Sequence, residues 1–99
     1  MVQIRWTEIA RDDLKEIHNY IALDSFHYAK LQVVKLRART KVLKKQPLIG
    51  KPIPEYKNDY YRELLEGRYR IIYKLVNAGQ VDILTVHHSA RKLELRRID

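Results

Sequence analysis

Residues 60–88, YYRELLEGRYRIIYKLVNAGQVDILTVHH, hold three segments rich in valine, isoleucine, leucine and tyrosine, separated by two turn signals. The segments are residues 60–65, 68–76 and 81–88, and the turn signals are Glu66-Gly67 and residues 77–80, NAGQ. β-Branched and aromatic residues favour strands, and short links with glycine or asparagine join strands as hairpins. The stretch therefore predicts a three-stranded antiparallel meander.

The second hairpin predicts which residues share a face of the sheet. A two-residue Ala78-Gly79 turn places Arg70 opposite His87 and Tyr69 opposite His88, and directly opposed residues lie on one face. One face is then expected to carry Tyr69, Ile71, Tyr73, Leu75 and His88, and the other Arg70, Ile72, Lys74, Ile83, Thr85 and His87. The first set suits the core, and the second suits an exposed face. A three-residue loop or a bulge would reverse this assignment.

The first hairpin leaves two registers open. A two-residue turn at Glu66-Gly67 puts Glu63 opposite Arg70. A three-residue turn that ends at Arg68 puts Arg62 and Leu64 on the face of Arg70 instead. The sequence does not choose between them.

The N-terminal half adds one strand and two helices. Residues 2–6 alternate apolar and polar side chains, as a strand does. Apolar residues then recur at helical spacing over residues 8–22 and 26–45, and the proline-rich residues 46–55 predict a loop. The order β-α-α-β-β-β predicts an α+β fold in which a helical hairpin packs on one face of a small antiparallel sheet. We expect one domain over residues 1–99, with a short charged tail at about 90–99 and an open second face.

The charge of the chain is concentrated in one segment. The 99 residues carry a formal net charge of +8 and no cysteine, which excludes disulfides and Cys-ligated zinc. Residues 25–54 contain no acid and eight bases, whereas the residues on either side sum to zero. Such a segment attracts nucleic acid, the ribosome, a membrane surface or an acidic protein, unless it is simply a solvated helix face. No apolar run approaches the length of a membrane span.

The adjacent histidines of TVHHSARK, residues 85–92, point to opposite faces of a strand. His87 is a candidate general acid or base beside Arg70, which could stabilise a phosphate, or else a surface histidine at a strand end. His88 is expected to be half-buried and hydrogen-bonded to backbone. The pair lacks the helical spacing of a metal site, so no metal is expected.

Several stretches occur in an order that resembles the RelE/ParE superfamily of toxins from type II toxin–antitoxin modules. They are IRWTEIARDDLKEIHNYIA (4–22), PLIGKPIPE (47–55), YRELLEGRYRIIYKL (61–75) and VDILTVHHSARKL (81–93). The resemblance covers nearly the whole chain. It implies a helical hairpin against a small antiparallel sheet, a cytoplasmic location, and a cognate antitoxin as partner.

Two targets follow from the resemblance. ParE-like members inhibit DNA gyrase, and RelE-like members cleave mRNA on the ribosome. The N-terminal stretch, residues 6–22, and HHSARKL, residues 87–93, are closer to ParE-like chains, which favours gyrase as the target. Neither activity implies a metal or a small-molecule cofactor. A non-toxic basic nucleic-acid-binding module is the third alternative.

If the chain is a nuclease, the resemblance implies Glu55 as base, Arg70 as the phosphate-stabilising arginine and His87, or His88, as general acid. The predicted nucleic-acid or target contacts are Arg62, Lys74 and Arg91. No tyrosine follows Ser89, although nucleases of the superfamily carry one near the C-terminal end, and the lysine pair expected on the first meander strand is reduced to Arg62.

Overall fold

The computed structural model describes residues 1–93, so most of the predicted tail, residues 94–99, lies outside the described residues. The described part of the chain forms five strands, two α-helices and a short 3-10 helix. In chain order they are β1 (Gln3–Trp6), α1 (Glu8–Ala22), α2 (Phe26–Arg39), the 3-10 helix (Thr40–Lys44), β2 (Lys51–Pro52), β3 (Tyr61–Glu66), β4 (Tyr69–Asn77) and β5 (Gln80–His88). No helix within residues 1–93 is long and apolar enough to span a bilayer.

The predicted α+β class and helical hairpin are confirmed, but the sheet is mixed rather than antiparallel. Its strand order is β1-β5-β4-β3-β2, and β1 runs parallel to β5. The two helices return the chain to its start, where the Val2 amide donates to the Lys44 carbonyl over 3.1 Å. The predicted loop also contributes β2, in which Pro52 occupies an edge position that tolerates proline.

The first helix has the predicted bounds, whereas the second is shorter than predicted. The hydroxyls of Thr7 and Ser25 accept from the Ala10 and Tyr28 amides, each over 3.2 Å, and so cap the two helices. At the other end of α2, the Thr40 hydroxyl donates to the Arg37 carbonyl over 2.7 Å. Such side-chain bonds compete with helical ones, which accounts for the tighter 3-10 turn from Thr40.

The sheet buries side chains on both faces. The main core lies between the helices and the sheet, and its fully buried side chains include Leu36, Leu43, Ile71, Tyr73 and Ile83. A second, smaller core covers the opposite face and consists of Ile53, Tyr61, Ile72 and Leu93. The expectation of an open second face was therefore wrong, because the proline-rich segment and Leu93 close it.

The β4–β5 register contains two irregularities that cancel. Asn77 pairs with Gln80 as predicted, and Arg70 pairs with His87, but the register shifts between Leu75 and Asn77 and again between Ile72 and Tyr73. Between the two shifts Tyr73 faces Ile83. Ile83 therefore belongs to the main core. The prediction that it shares the face of Arg70 was wrong.

The first hairpin follows neither predicted register. Glu66 pairs with Tyr69, so the two turn residues are Gly67 and Arg68. Gly67 has a φ of 58°, in the left-handed region that glycine adopts without a steric penalty. In this register Glu63 pairs with Ile72 and lies diagonally across from Arg70 on the same face.

Asp13 completes the edge of β5 beyond the end of β1. Its carboxylate accepts the Val86 amide over 3.0 Å and the Thr85 hydroxyl, and both it and Thr85 are buried. A strand edge that is buried without a partner is costly, so this side chain takes the place of a missing β1 residue.

We expect Asp13→Ala to lower the free energy of unfolding by about 2 kcal/mol, because it leaves a buried amide and hydroxyl without an acceptor. Urea denaturation followed by circular dichroism measures the change. Asp12→Ala, at the exposed neighbouring position of α1, is the matched control and should change stability by under about 0.5 kcal/mol. Equal losses in the two variants would contradict this role for Asp13.

Candidate functional site

Arg70 on β4 is the centre of the predicted site, and two carboxylates hold its side chain. Its Nη1 and Nη2 donate to the two Glu55 carboxylate oxygens over 2.6 and 2.8 Å. Its Nε donates to Glu63 over 2.8 Å. The Arg70 side chain is only 11% exposed. All three guanidinium nitrogens are therefore engaged by carboxylates, and the cluster carries a net charge of −1.

The cluster changes the acid–base properties of its members. Hydrogen bonds from Arg70 lower the pKa of the Glu55 carboxyl below its usual range, and hydrogen bonding to Glu55 raises the pKa of Arg70. A carboxylate with a lowered pKa is a weak proton acceptor near neutral pH. This arrangement fastens the segment around Glu55 to the sheet and favours ionised Glu55.

The two histidines differ in their surroundings. His87 is buried, and its Nε2 donates to the Arg91 carbonyl over 2.6 Å, so it was wrongly expected on an exposed face. His88 is half-buried against the Tyr69 ring at a centroid distance of 5.5 Å, and its Nδ1 accepts the Ala90 amide over 3.1 Å. The prediction for His88 is confirmed.

The three predicted contact residues lie in different places. The Arg62 guanidinium donates to the carbonyls of Asp59, Leu48 and Gly50 and so braces the loops before β2 and β3. The Lys74 ammonium lies 5.4 Å from the centroid of the Tyr61 ring. Arg91 is exposed just beyond β5, and its carbonyl holds His87. Their role as target contacts stays a prediction.

Arg70 contacts Glu55 and Glu63 and is paired across the strands with His87, which is the pairing predicted from the hairpin; the catalytic roles of Glu55, Arg70 and His87 stay a prediction. Only one of the two open registers placed Glu63 opposite Arg70, and that register does not occur. Among residues 1–93, no three His, Cys, Asp or Glu side chains are grouped closely enough to hold a metal ion. A cavity of about 490 Å³ between α1 and the end of β5 is lined in part by Glu16, Tyr69, His88 and Arg91.

Two solved structures are similar to the chain over most of its length. A chromosomal ParDE toxin–antitoxin system from P. aeruginosa contains a chain with 24% identity and a TM-score of 0.73; the match covers 89% of this chain and 96% of that one. The RelBE2 toxin–antitoxin complex from Mycobacterium tuberculosis gives 25% identity, a TM-score of 0.55, and coverage of 88% and 96%. No curated protein matches the sequence significantly.

The fold thus places the chain in a class of small proteins, the toxins of the RelE/ParE superfamily. The model of one family, described as the ParE toxin of the type II toxin–antitoxin system parDE, matches residues 4–93. The chain belongs to this ParE toxin family. The resemblance inferred from the sequence is confirmed.

Proposed function

We propose that this toxin arrests growth by inhibiting DNA gyrase and that it is not itself a nuclease. One observation carries the proposal: the Arg70 guanidinium, which a nuclease of this fold would need for the scissile phosphate, is occupied by Glu55 and Glu63. A phosphate would have to displace two carboxylates from a side chain that is largely buried. Such a displacement requires free energy, whereas the groups of a preorganised catalytic site are already free to contact the substrate.

The second candidate is a ribosome-dependent, metal-independent endoribonuclease. It is favoured by the proximity of Glu55, Arg70 and His87, which are the base, phosphate contact and acid that this chemistry needs. In that reaction Glu55 would remove the proton from the 2′-hydroxyl and Arg70 would steady the phosphate. The lowered pKa of Glu55 argues against the first step.

We also propose a cognate antitoxin as partner and a cytoplasmic location. The two similar structures are toxin–antitoxin systems, and the turn between α1 and α2 leaves large side chains uncovered. Their exposed fractions are 74% for Tyr20, 82% for Leu23, 76% for Phe26 and 65% for Tyr28. Contiguous exposed apolar side chains of this size are typical of a protein interface. Growth arrest relieved by the product of a neighbouring gene tests this pairing and excludes a non-toxic nucleic-acid-binding module.

Induced expression of wild-type and Glu55→Gln toxin separates the two targets. For a gyrase inhibitor we expect both proteins to arrest growth, to relax plasmid DNA and to leave mRNA intact. For a nuclease, loss of the base should reduce mRNA cleavage by a factor of about 100 or more. Glu8→Gln, which removes an exposed carboxylate from the first turn of α1, is the control. Normal gyrase supercoiling in an excess of purified toxin would contradict the proposal.

A further inference from the structure

Most of the excess positive charge of the protein lies on the second helix and its 3-10 extension, which hold six of the eight bases of residues 25–54. Residues 25–54 carry +8, and the rest of the chain sums to zero. Within this segment Lys30, Arg37, Lys41 and Lys44 are all exposed, and we call these four residues the basic stripe. Neither the Arg70 site nor the gyrase proposal uses them.

The helical period places the four residues of the stripe on one side. Their spacings of seven, four and three residues return to the same face of a helix with about 3.6 residues per turn. Arg37, Lys41 and Lys44 line a shallow cavity of about 390 Å³ with Ile4 and Trp6 of β1. The Arg37 guanidinium carbon lies 5.1 Å from the centroid of the Trp6 ring. At a rise of 1.5 Å per residue the stripe extends over about 20 Å.

No acid within the described residues neutralises the stripe. The ion pairs found in residues 1–93 join Arg5 to Asp82 and Arg70 to Glu55 and Glu63, and none includes a stripe residue. Residues 25–54 contain no aspartate or glutamate. The stripe is therefore a row of exposed cations along α2 and the 3-10 helix, and none of them forms an ion pair within residues 1–93.

We propose that the basic stripe binds the phosphate backbone of duplex DNA without sequence preference. Duplex DNA presents one negative charge per about 1.7 Å of axis, so it is the polyanion whose counterions four aligned cations release most effectively. All four cations are exposed along one side of the helix, so a phosphate backbone can reach them without entering a pocket. The stripe holds the toxin on DNA independently of any contact with gyrase.

Fluorescence anisotropy with purified toxin and a labelled DNA duplex of random sequence, over a range of salt concentrations, tests the proposal. Four phosphate contacts predict a slope of about −3.6 in a plot of log K against log salt concentration. Lys41→Gln with Lys44→Gln should reduce the slope to about −1.8 and weaken binding on the order of 50-fold at 0.1 M salt. Gyrase is absent, so the result does not depend on the proposed target.

Lys35→Gln with Lys57→Gln is the matched control, because it removes the same charge from exposed positions away from the stripe. The control should keep the wild-type slope, and circular dichroism should show that both double variants are folded. Equal weakening by the two pairs would overturn the proposal in favour of a general effect of net charge. Tighter binding to single-stranded RNA or to an acidic peptide than to the duplex would overturn it as well.

Discussion

Replacing Arg70 with methionine is expected to lower the free energy of unfolding by about 3 kcal/mol or more. The substitution keeps most of the side-chain volume but leaves Glu55 and Glu63 facing each other without a cation. The Glu63 side chain is 13% exposed, so water cannot fully replace the lost partner. Urea denaturation monitored by tryptophan fluorescence or circular dichroism measures the change.

Two further variants test whether the ion cluster is the cause. Adding Glu55→Gln and Glu63→Gln to Arg70→Met should recover a large part of the loss, because no uncompensated charge then remains. Arg5→Met breaks an ion pair in which the arginine side chain is 64% exposed, and it should destabilise the protein much less than Arg70→Met does. Similar decreases in the free energy of unfolding for Arg5→Met and Arg70→Met would contradict the claim that burial of Arg70 makes its ion pairs more important for stability.

The same cluster makes stability depend on pH in acid. Arg70 lowers the pKa of Glu55 from its ordinary value of 4.5, so the folded protein favours ionised Glu55 more than the unfolded chain does. This contribution is present above pH 4.5 and is lost as the pH falls through the lowered pKa. The Arg70→Met variant should show a smaller loss of stability over that acidic range than the wild-type protein.

Substituting alanine for Gly50 is expected to destabilise the fold by about 3 kcal/mol. A Cβ atom there would lie 2.6 Å from the Glu63 carbonyl oxygen and 2.5 Å from the Tyr73 hydroxyl. Neither neighbour can move freely, since the hydroxyl accepts the Gly50 amide over 3.0 Å and donates to the Pro47 carbonyl over 2.8 Å. The midpoint of urea unfolding reports the loss.

Gly79→Ala is the matched control for Gly50→Ala. The nearest atom that its Cβ would meet is the Asn77 side-chain oxygen at 3.6 Å, an ordinary contact, and Gly79 does not have a positive φ. We expect a change of under about 1 kcal/mol, with either sign. A Gly50→Ala protein as stable as the Gly79→Ala protein would contradict the close packing described around Tyr73.

The sequence predicted features that depend on local pattern and missed those that depend on distant contacts. The helix α1 and the pairing of Arg70 with His87 follow from spacing and turn chemistry. The parallel pairing of β1 and the burial of Ile72 do not, because each needs a contact with a segment far along the chain. The shift of Ile83 into the core does not either, because it results from bulges in the β4–β5 hairpin that the sequence pattern does not reveal. The pairing of Arg70 with His87 was predicted correctly because two bulges cancel, and one bulge alone would have moved it.

The residues of the candidate site were also predicted only in part. Glu55, Arg70 and His87 were identified from the resemblance, and the hairpin register supported the last two. One of the two open registers placed Glu63 directly opposite Arg70, and the observed Gly67-Arg68 turn keeps Glu63 on the same face at the diagonal position. Since side chains alternate along a strand, the three-residue turn that the sequence left open would have put Glu63 on the other face, and only the structure excludes it.

The parallel pairing of β1 with β5 has a consequence for synthesis of the toxin. Gln3 of β1 is made before both helices and strands β2 to β4, yet it pairs with Gln80, the first residue of β5. Closing so long a loop is slow, and it cannot begin before β5 has been synthesised. A nascent chain in which β5 has not yet been made therefore leaves β1 without its partner strand, and the sheet cannot be completed.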